Sequence, residues 1–298
     1  MASYSEVGKE AVQAKGWFGA YKWLILRRLS QVSVFLLFLL GPLAGVWIIK
    51  GNLSSSLLLD RVPMTEPILF LQMLAAGMAP AVDALIGVLI VSLFYLLVGG
   101  RVFCSWVCPL NWVTDAAYWT RERLGIRGGA RFSRGLRYWM LGMVVVLSAV
   151  TGTLAFEMFN PVSIVQRGII FGMGLAWAVI LAVFLFDLLV AKRGWCSHLC
   201  PMGGLYGLIG QLSPLRIRAD QRASCNDCMD CFAVCPEPQV IKPALKGAGK
   251  GVGPVILAGE CTNCGRCIDV CSKDVFNFGL RFNNEEKVES LRGTTQQP

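Results

Sequence analysis

The residues best equipped for chemistry are twelve cysteines, and their spacing separates two kinds of site. CNDCMDCFAVCP at 225–236 carries Cys225, Cys228, Cys231 and Cys235, followed by Pro236. CTNCGRCIDVCS at 261–272 carries Cys261, Cys264, Cys267 and Cys271. C-x2-C-x2-C-x3-C-P is the bacterial ferredoxin run, whose fourth cysteine ligates the other cluster of a two-cluster fold. Two-residue spacing lets three thiolates of one tight loop reach three irons, while the fourth corner is filled from across the domain. By that rule one [4Fe–4S] cluster takes Cys225, Cys228, Cys231 and Cys271, and the other takes Cys261, Cys264, Cys267 and Cys235. Zinc is the competing metal, but its structural sites pair two C-x2-C units. Disulfides are disfavoured in a reducing cytoplasm. Ser272 stands where the first run has Pro236, which removes no ligand.

The other four cysteines lie in RVFCSWVCPL (101–110) and RGWCSHLCPM (193–202), each a C-x3-C-P at the end of an apolar segment. On a helix, four-residue spacing puts Cys104 and Cys108, or Cys196 and Cys200, on one face with Cβ atoms about 5–6 Å apart. That suits ligation and is near the upper limit for a disulfide. The prolines set or break the helix just after the second thiol. A further metal centre, a set of redox thiols, a docking element and plain burial at helix ends all fit these four. His198, the single histidine, lies between Cys196 and Cys200, where an imidazole can exchange a proton. One histidine excludes the paired axial ligands of a di-haem site, and no C-x-x-C-H is present.

These groups need elements to position them, and the composition points to a bilayer. The chain of 298 residues is 55% hydrophobic, with a mean hydropathy of +0.56. Four uncharged stretches, 29–49, 84–100, 138–156 and 168–186, each have about 17–21 residues, near the length that crosses a hydrocarbon core. The first is too long for a signal-peptide core, and no small-residue cleavage site follows it. An even number of spans puts both ends on one side. Lys9, Lys15, Lys22, Arg27 and Arg28 precede the first span. Arg101, Arg121, Arg123, Arg127, Arg131, Arg134 and Arg137 fill the central connection, and Lys192 and Arg193 follow the fourth span. The basic bias makes the ends and the central loop cytoplasmic in a multi-pass inner-membrane protein. The +9 charge does not indicate nucleic acid, because these arginines flank spans and no binding motif accompanies them.

The membrane region reads as a duplication. The cysteine motifs recur at an offset of 92 residues, and Glu66-Pro67…Gln72 and Asn160-Pro161…Gln166 recur at 94. The fold class expected is α-helical membrane protein: four transmembrane helices as two repeated hairpins, with pseudo-twofold packing that gathers the four motif cysteines. An interfacial helix is expected within 63–82. A cytoplasmic segment 1–28 precedes the membrane domain 29–215. A two-cluster ferredoxin-like (α+β) domain, 216–283, follows, and 284–298 is a polar tail.

With four spans, FCSWVCP, WCSHLCP and two ferredoxin runs, the sequence resembles the NapH family, the quinol-dehydrogenase membrane component of periplasmic nitrate reductase systems. The resemblance covers nearly the whole chain. It implies a subunit that takes electrons from the quinol pool and passes them toward the periplasmic reductase. It also implies a NapG-like periplasmic ferredoxin subunit and a NapC-like multihaem cytochrome as partners. Quinol oxidation releases protons, for which Glu66, Gln72, Glu157 and Gln166 outside, and Asp187 and His198 inside, are the candidate acceptors. A second expectation comes from related membrane polyferredoxins with similar C-x3-C-P pairs, which are associated with copper handling in oxidase maturation. Those carry a further C-terminal periplasmic domain, whereas this sequence stops at EEKVESLRGTTQQP.

Overall fold

The computed structural model describes residues 6–126, 128–130 and 132–282. The tail expected over 284–298, and Arg127 and Arg131, lie outside the described residues. Helix α1 (Lys9–Ala44) bends at Gly16 and stops where Gly45 turns left-handed. Three short antiparallel strands follow in the order β1 (Ile49–Gly51), β2 (Ser55–Leu58), β3 (Val62–Thr65). Then come α2 (Pro67–Ala75), α3 (Val82–Val98), α4 (Val102–Trp106) and α5 (Leu110–Arg123). The second half supplies α6 (Leu136–Thr151), α7 (Ala155–Phe159), α8 (Pro161–Phe171), α9 (Ala176–Leu185) and α10 (Pro201–Gly210). Two π turns, Phe186–Val190 and Trp195–Leu199, separate α9 from α10.

Several expectations need correction. Stretch 168–186 is not one helix. Gly172 and Gly174, at φ 106° and 33°, break it between α8 and α9, a backbone that residues with a Cβ rarely adopt. The stretches 29–49 and 138–156 end early as helix, at Gly45 and Gly152, both left-handed C-caps. Only α1 is long and apolar enough by itself to cross a membrane among the described residues. Within 63–82 the end of strand β3 is followed by one helix, the short α2.

The shorter helices nevertheless display broad apolar faces. Leu85, Leu89, Leu93 and Leu97 of α3 are exposed at four-residue intervals, and Trp139, Met143, Leu147 and Val150 of α6 at intervals of four, four and three. Trp177 and Leu181 continue this on α9. Inside, one core joins Ile68, Tyr95, Phe103, Leu141, Val162 and Tyr206.

Both half-helices are started in the same way. The Glu66 carboxylate accepts from the Ile68 and Leu69 N–H groups, and Asn160 Oδ1 accepts from Val162 N–H. Each cap precedes a proline at the first helical position, where a missing N–H costs nothing. Six residues on, the fully buried glutamines are exchanged between halves. Gln72 Oε1 accepts from Phe156 N–H at 2.8 Å, and Gln166 Oε1 from Leu53 N–H at 2.7 Å.

The C-terminal domain has its own core around Ile217, Ile241, Ile256 and Phe276. Strand β4 (Leu215–Arg218) pairs antiparallel with β5 (Asn277–Leu280), Leu215 opposite Leu280. Between them lie α11 (Asp230–Val234), α12 (Ile241–Lys246) and α13 (Arg266–Asp269). The N-terminal part of α1 rests on this domain. Gly8 N–H donates to Asp230, and the Trp23 and Leu24 N–H groups donate to the Asp269 carboxylate.

Candidate metal centres

The two ferredoxin runs cross. Cys225, Cys228, Cys231 and Cys271 line one cavity with Phe232, Leu245 and Phe276. Cys235 has Cys264 and Cys261 as charge neighbours, and Cys267 has Cys264, Cys235 and Cys261, with Cys231 of the first group the weakest of its four. Each run thus supplies three cysteines to one group and its last cysteine to the other. Tight loops make this possible. Asp227, Met229 and Asn263 take left-handed φ values between the thiols, turning successive sulfurs inward. Short α11 and α13 then carry the third cysteine of each run.

The surroundings of the two groups differ in sign. Burial pushes the Cys231 thiol up to about 12, and neighbouring Cys228, Cys271 and Cys225 add to this. Asp230 and Glu10 also face Cys228. In the second group burial raises Cys261 to about 11. Cys264 is different. Burial acts on it too, but Arg27 and Arg266 carry it below its ordinary value.

The third group is the pair of C-x3-C-P motifs. Cys104, Cys108, Cys196 and Cys200 line one apolar cavity with Phe103, Leu110, Val162, Trp195 and Met202. The motifs are not continuous α-helices. Helix α4 ends at Trp106, leaving Cys108 beyond it, and Cys200 is extended after a π turn. Pro109 and Pro201 open the next helices, α5 and α10. Phe103 stacks on Tyr206 at 5.3 Å, and Tyr206 meets Tyr95 edge-on at 4.9 Å, closing one wall.

Asp187 is buried beside Cys196, with Oδ1 accepting from Trp195 N–H at 2.9 Å and Oδ2 without a partner. His198 does not line this cavity. Its Nδ1 lies 3.4 Å from the Ser133 carbonyl oxygen, and its ring sits 6.1 Å from that of Phe132. Gln72 and Gln166, considered above as proton acceptors, spend their oxygens on the backbone bonds that cross the repeat.

Sequence reasoning missed the clamp between the third group and the second. Arg101 donates to Glu237 Oε1 at 2.8 Å, to the Glu260 carbonyl at 3.0 Å and to the Cys196 carbonyl at 3.0 Å. Ser105 Oγ donates to the Thr262 carbonyl at 2.8 Å, and Trp106 Nε1 to the Asn263 carbonyl at 3.1 Å. Asn263 Nδ2 donates in return to Val98 O at 3.1 Å. Three residues around Cys104 thus hold three carbonyls, those of Glu260, Thr262 and Asn263, in the loop that bears Cys261 and Cys264. The signal available was Arg101 itself, three residues before the motif. In the sequence it reads as a sidedness marker and as the first residue of the recurring stretch RVFCSWVCPL.

Buried donors without partners test what the cavities suit. Trp195 Nε1 and Arg101 Nε, beside the motif cysteines, and Arg27 Nε and Nη1, beside Cys264, have no hydrogen-bond partner. Buried N–H groups are rarely left unspent. An iron–sulfur cluster offers sulfide and thiolate acceptors to such donors, so these residues fit one. A lone ion offers none. No group of three or more His, Cys, Asp or Glu side chains among the described residues is drawn together to hold a single metal ion.

Comparison with known proteins agrees with this chemistry. A family described as 4Fe-4S binding domain matches residues 80–127 and 173–219, and a 4Fe-4S dicluster domain family matches 224–275. The ferredoxin-type protein NapH of Haemophilus influenzae is 50% identical over 93% of this chain and 96% of its own length. NapH of Escherichia coli is 48% identical over 95% of this chain and 98% of its own. The chain belongs to the NapH family of ferredoxin-type proteins. The methylamine utilization ferredoxin-type protein MauN of Methylorubrum extorquens is equally similar, at 50% identity over 91% of this chain and 94% of its own. No solved structure matches. Membership carries iron–sulfur electron transfer with it, on two matched 4Fe-4S families.

Proposed function

We propose that this protein is a multi-pass inner-membrane subunit that oxidises quinol and passes electrons, through iron–sulfur centres, to partner redox proteins. The observation that carries the reading is the clamp of Arg101, Ser105 and Trp106 on the Cys261–Cys264 loop. It joins a cysteine site in an apolar bundle to a dicluster domain outside it. In this reading the dicluster domain holds two [4Fe–4S] clusters on the crossed cysteine sets. Cys104, Cys108, Cys196 and Cys200 hold a third iron–sulfur centre, which the match of a 4Fe-4S binding family to both motif regions supports. Such clusters supply one-electron transfer at potentials tuned by their surroundings.

The residues around them have separate tasks. Arg101 and Trp195 direct N–H groups at the motif site. Phe103, Val162 and Met202 keep water from it. Asp187 is the inner candidate for a proton released from quinol, because its Oδ2 is buried and unspent beside Cys196. The apolar faces of α3, α6 and α9 support four membrane crossings, since a soluble surface rarely carries so much contiguous apolar area. The arginine bias supports cytoplasmic ends.

For the acceptor, relatives named NapH favour a nitrate reductase system with NapG-like and NapC-like partners. The MauN relatives are as similar, so the shared chemistry is electron delivery and the acceptor is the variable end.

The test is EPR and iron analysis on anaerobically purified protein, with reduced quinol and dithionite added separately. About twelve irons per chain, as expected for three cubane clusters, and a quinol-induced cluster signal are expected. Cys104→Ser should remove about a third of the iron and the quinol response while dithionite still reduces the rest. Reduction by dithionite alone in the unmodified protein would overturn the quinol reading. Copper bound by the four motif cysteines in place of iron would move the protein to the metal-assembly role.

A further inference from the structure

Arg27 is the least explained charge in the molecule. It sits on the buried side of α1 at 1% exposure, and its Nε and Nη1 donate to nothing. Its charged neighbours are Arg28, Arg266, Asp115, Asp269 and Cys264. Asp115 cannot satisfy it, because that carboxylate already takes Arg28 and Arg266 at 2.7 Å and Arg193 at 3.5 Å. A buried cation without a hydrogen-bonded counter-charge is costly. The Asp269 carboxylate accepts the Trp23 and Leu24 N–H groups and takes no hydrogen bond from Arg27 Nε or Nη1, which leaves the sulfur of Cys264 and whatever that sulfur ligates.

The setting of the two dicluster sites sharpens this. Around Cys235, Cys261 and Cys264 the charged neighbours are Arg27, Arg101, Arg193, Arg216 and Arg266. Around Cys228 they are Asp230 and Glu10. Taking up one electron makes a cluster more negative, and N–H donors and positive charge stabilise that state. Hydrogen bonds to sulfur and local net charge are among the levers on cluster potential.

We propose that Arg27 donates hydrogen bonds to the cluster held by Cys235, Cys261, Cys264 and Cys267, raising its potential above that of the cluster held by Cys225, Cys228, Cys231 and Cys271. Arg27 is a tuning residue: it touches the cluster's ligand shell and takes no part in proton exchange. The placement is economical, since α1 is also the longest membrane helix, and the same helix that enters the bilayer sets the electron-accepting strength of the nearer cluster. This inference rests on the crossed ligand sets.

The experiment is an EPR-monitored redox titration of the full-length, cluster-loaded protein. Arg27→Met should lower the reduced fraction of the Cys264 cluster about tenfold at a fixed potential, a fall of about 59 mV for one electron. The other cluster should hold its potential. Arg27→Lys keeps the charge but loses the fork, and should fall between. In unmodified protein grown on 15N-arginine, pulsed EPR of the reduced cluster should show an arginine nitrogen coupling that Arg27→Lys abolishes. If Arg27→Met fails to assemble, the lysine variant and the labelled protein still decide. Unmoved potentials, equal shifts at both clusters, or a coupling that survives in Arg27→Lys would overturn the proposal. An unmodified protein that holds fewer than two dicluster-domain clusters would instead overturn the ligand assignment.

Discussion

The two halves of the membrane repeat begin from nearly the same motif and end in different mechanical roles. In the first half α4 is a regular helical turn, and Arg101, Ser105 and Trp106 reach out of it to the cluster-bearing loop. In the second half the same place is a π turn, preceded by another. Such π segments are uncommon and gather at functional sites. At the 92-residue offset Tyr95 corresponds to Asp187, Trp106 to His198 and Gly100 to Lys192. The first copy has been shaped to grip the dicluster domain, while the second carries a buried carboxylate and a histidine near the motif cysteines. Duplication supplied symmetric thiols; divergence gave one copy docking and the other the ionisable groups.

The largest effects should come from the carboxylate that serves each half. Glu237 is buried between Arg101 and Arg137, and burial, which alone would raise its carboxyl, is outweighed by the two guanidiniums that hold it below its usual range. Glu237→Gln strands two buried cations and should cost about 3–5 kcal/mol. Asp115 plays the matching part: burial alone would raise its carboxyl, but Arg266, Arg193 and Arg28 outweigh that and hold it well below the carboxylate range. Asp115→Asn should therefore cost a similar amount. Denaturant midpoints followed by cluster absorbance measure both; a loss under 1 kcal/mol in either would show that the ion pairs do not carry the docking.

The sign of the pH dependence follows. Asp115 has a folded pKa below its unfolded value of about 3.9. Its contribution is therefore fully present above that unfolded value and is lost as pH falls from there toward the folded pKa. Midpoints attributable to Asp115, taken as unmodified protein minus Asp115→Asn, should be flat from pH 7 to 5 and shrink only below about 4. A decline already at pH 6 would contradict this.

Next in size is a steric difference between the halves. A Cβ on Gly100 would run into the Tyr206 carbonyl and the Gly210 backbone of α10, whereas Lys192 at the same repeat position is exposed. Gly100→Ala should cost about 1–3 kcal/mol by overpacking. Lys192→Ala should stay within about 0.5 kcal/mol. Equal effects in the same denaturation assay would mean that the halves approach α10 alike.

What could be read in the sequence was whatever is local. The cysteine spacings locate all three groups, and the repeat is visible in Glu66-Pro67 and Asn160-Pro161, because caps and ligand loops are short-range devices. The break at Gly172–Gly174 was hidden, since hydropathy continues through it and only φ reveals it. The basic residues misled most. Arg27, Arg101, Arg137 and Arg193 read as sidedness markers, yet all four are buried, and all except Arg27 pair with Glu237 or Asp115. Which carboxylate meets which arginine depends on how the dicluster domain folds back on the bundle. No local pattern encodes that return. For the same reason Gln72 and Gln166 read as proton acceptors, when the crossing of the repeat had already claimed them.

The smallest expected effect separates docking from duplication most cleanly. Ser105 and Ser197 occupy the same repeat position, and both are buried. Ser105 Oγ donates to the Thr262 carbonyl beside Cys261, whereas Ser197 Oγ has no such partner among the described residues. Removing a neutral hydrogen bond costs about 1 kcal/mol, and more if the abandoned carbonyl stays buried. Ser105→Ala should therefore lose about 1 kcal/mol and raise amide exchange at 261–265, because the loop is freed at one of three tethers. Ser197→Ala should change neither. Faster exchange in both variants would mean that the second motif also holds the loop. Unchanged exchange in Ser105→Ala would leave Arg101 and Trp106 as the whole grip.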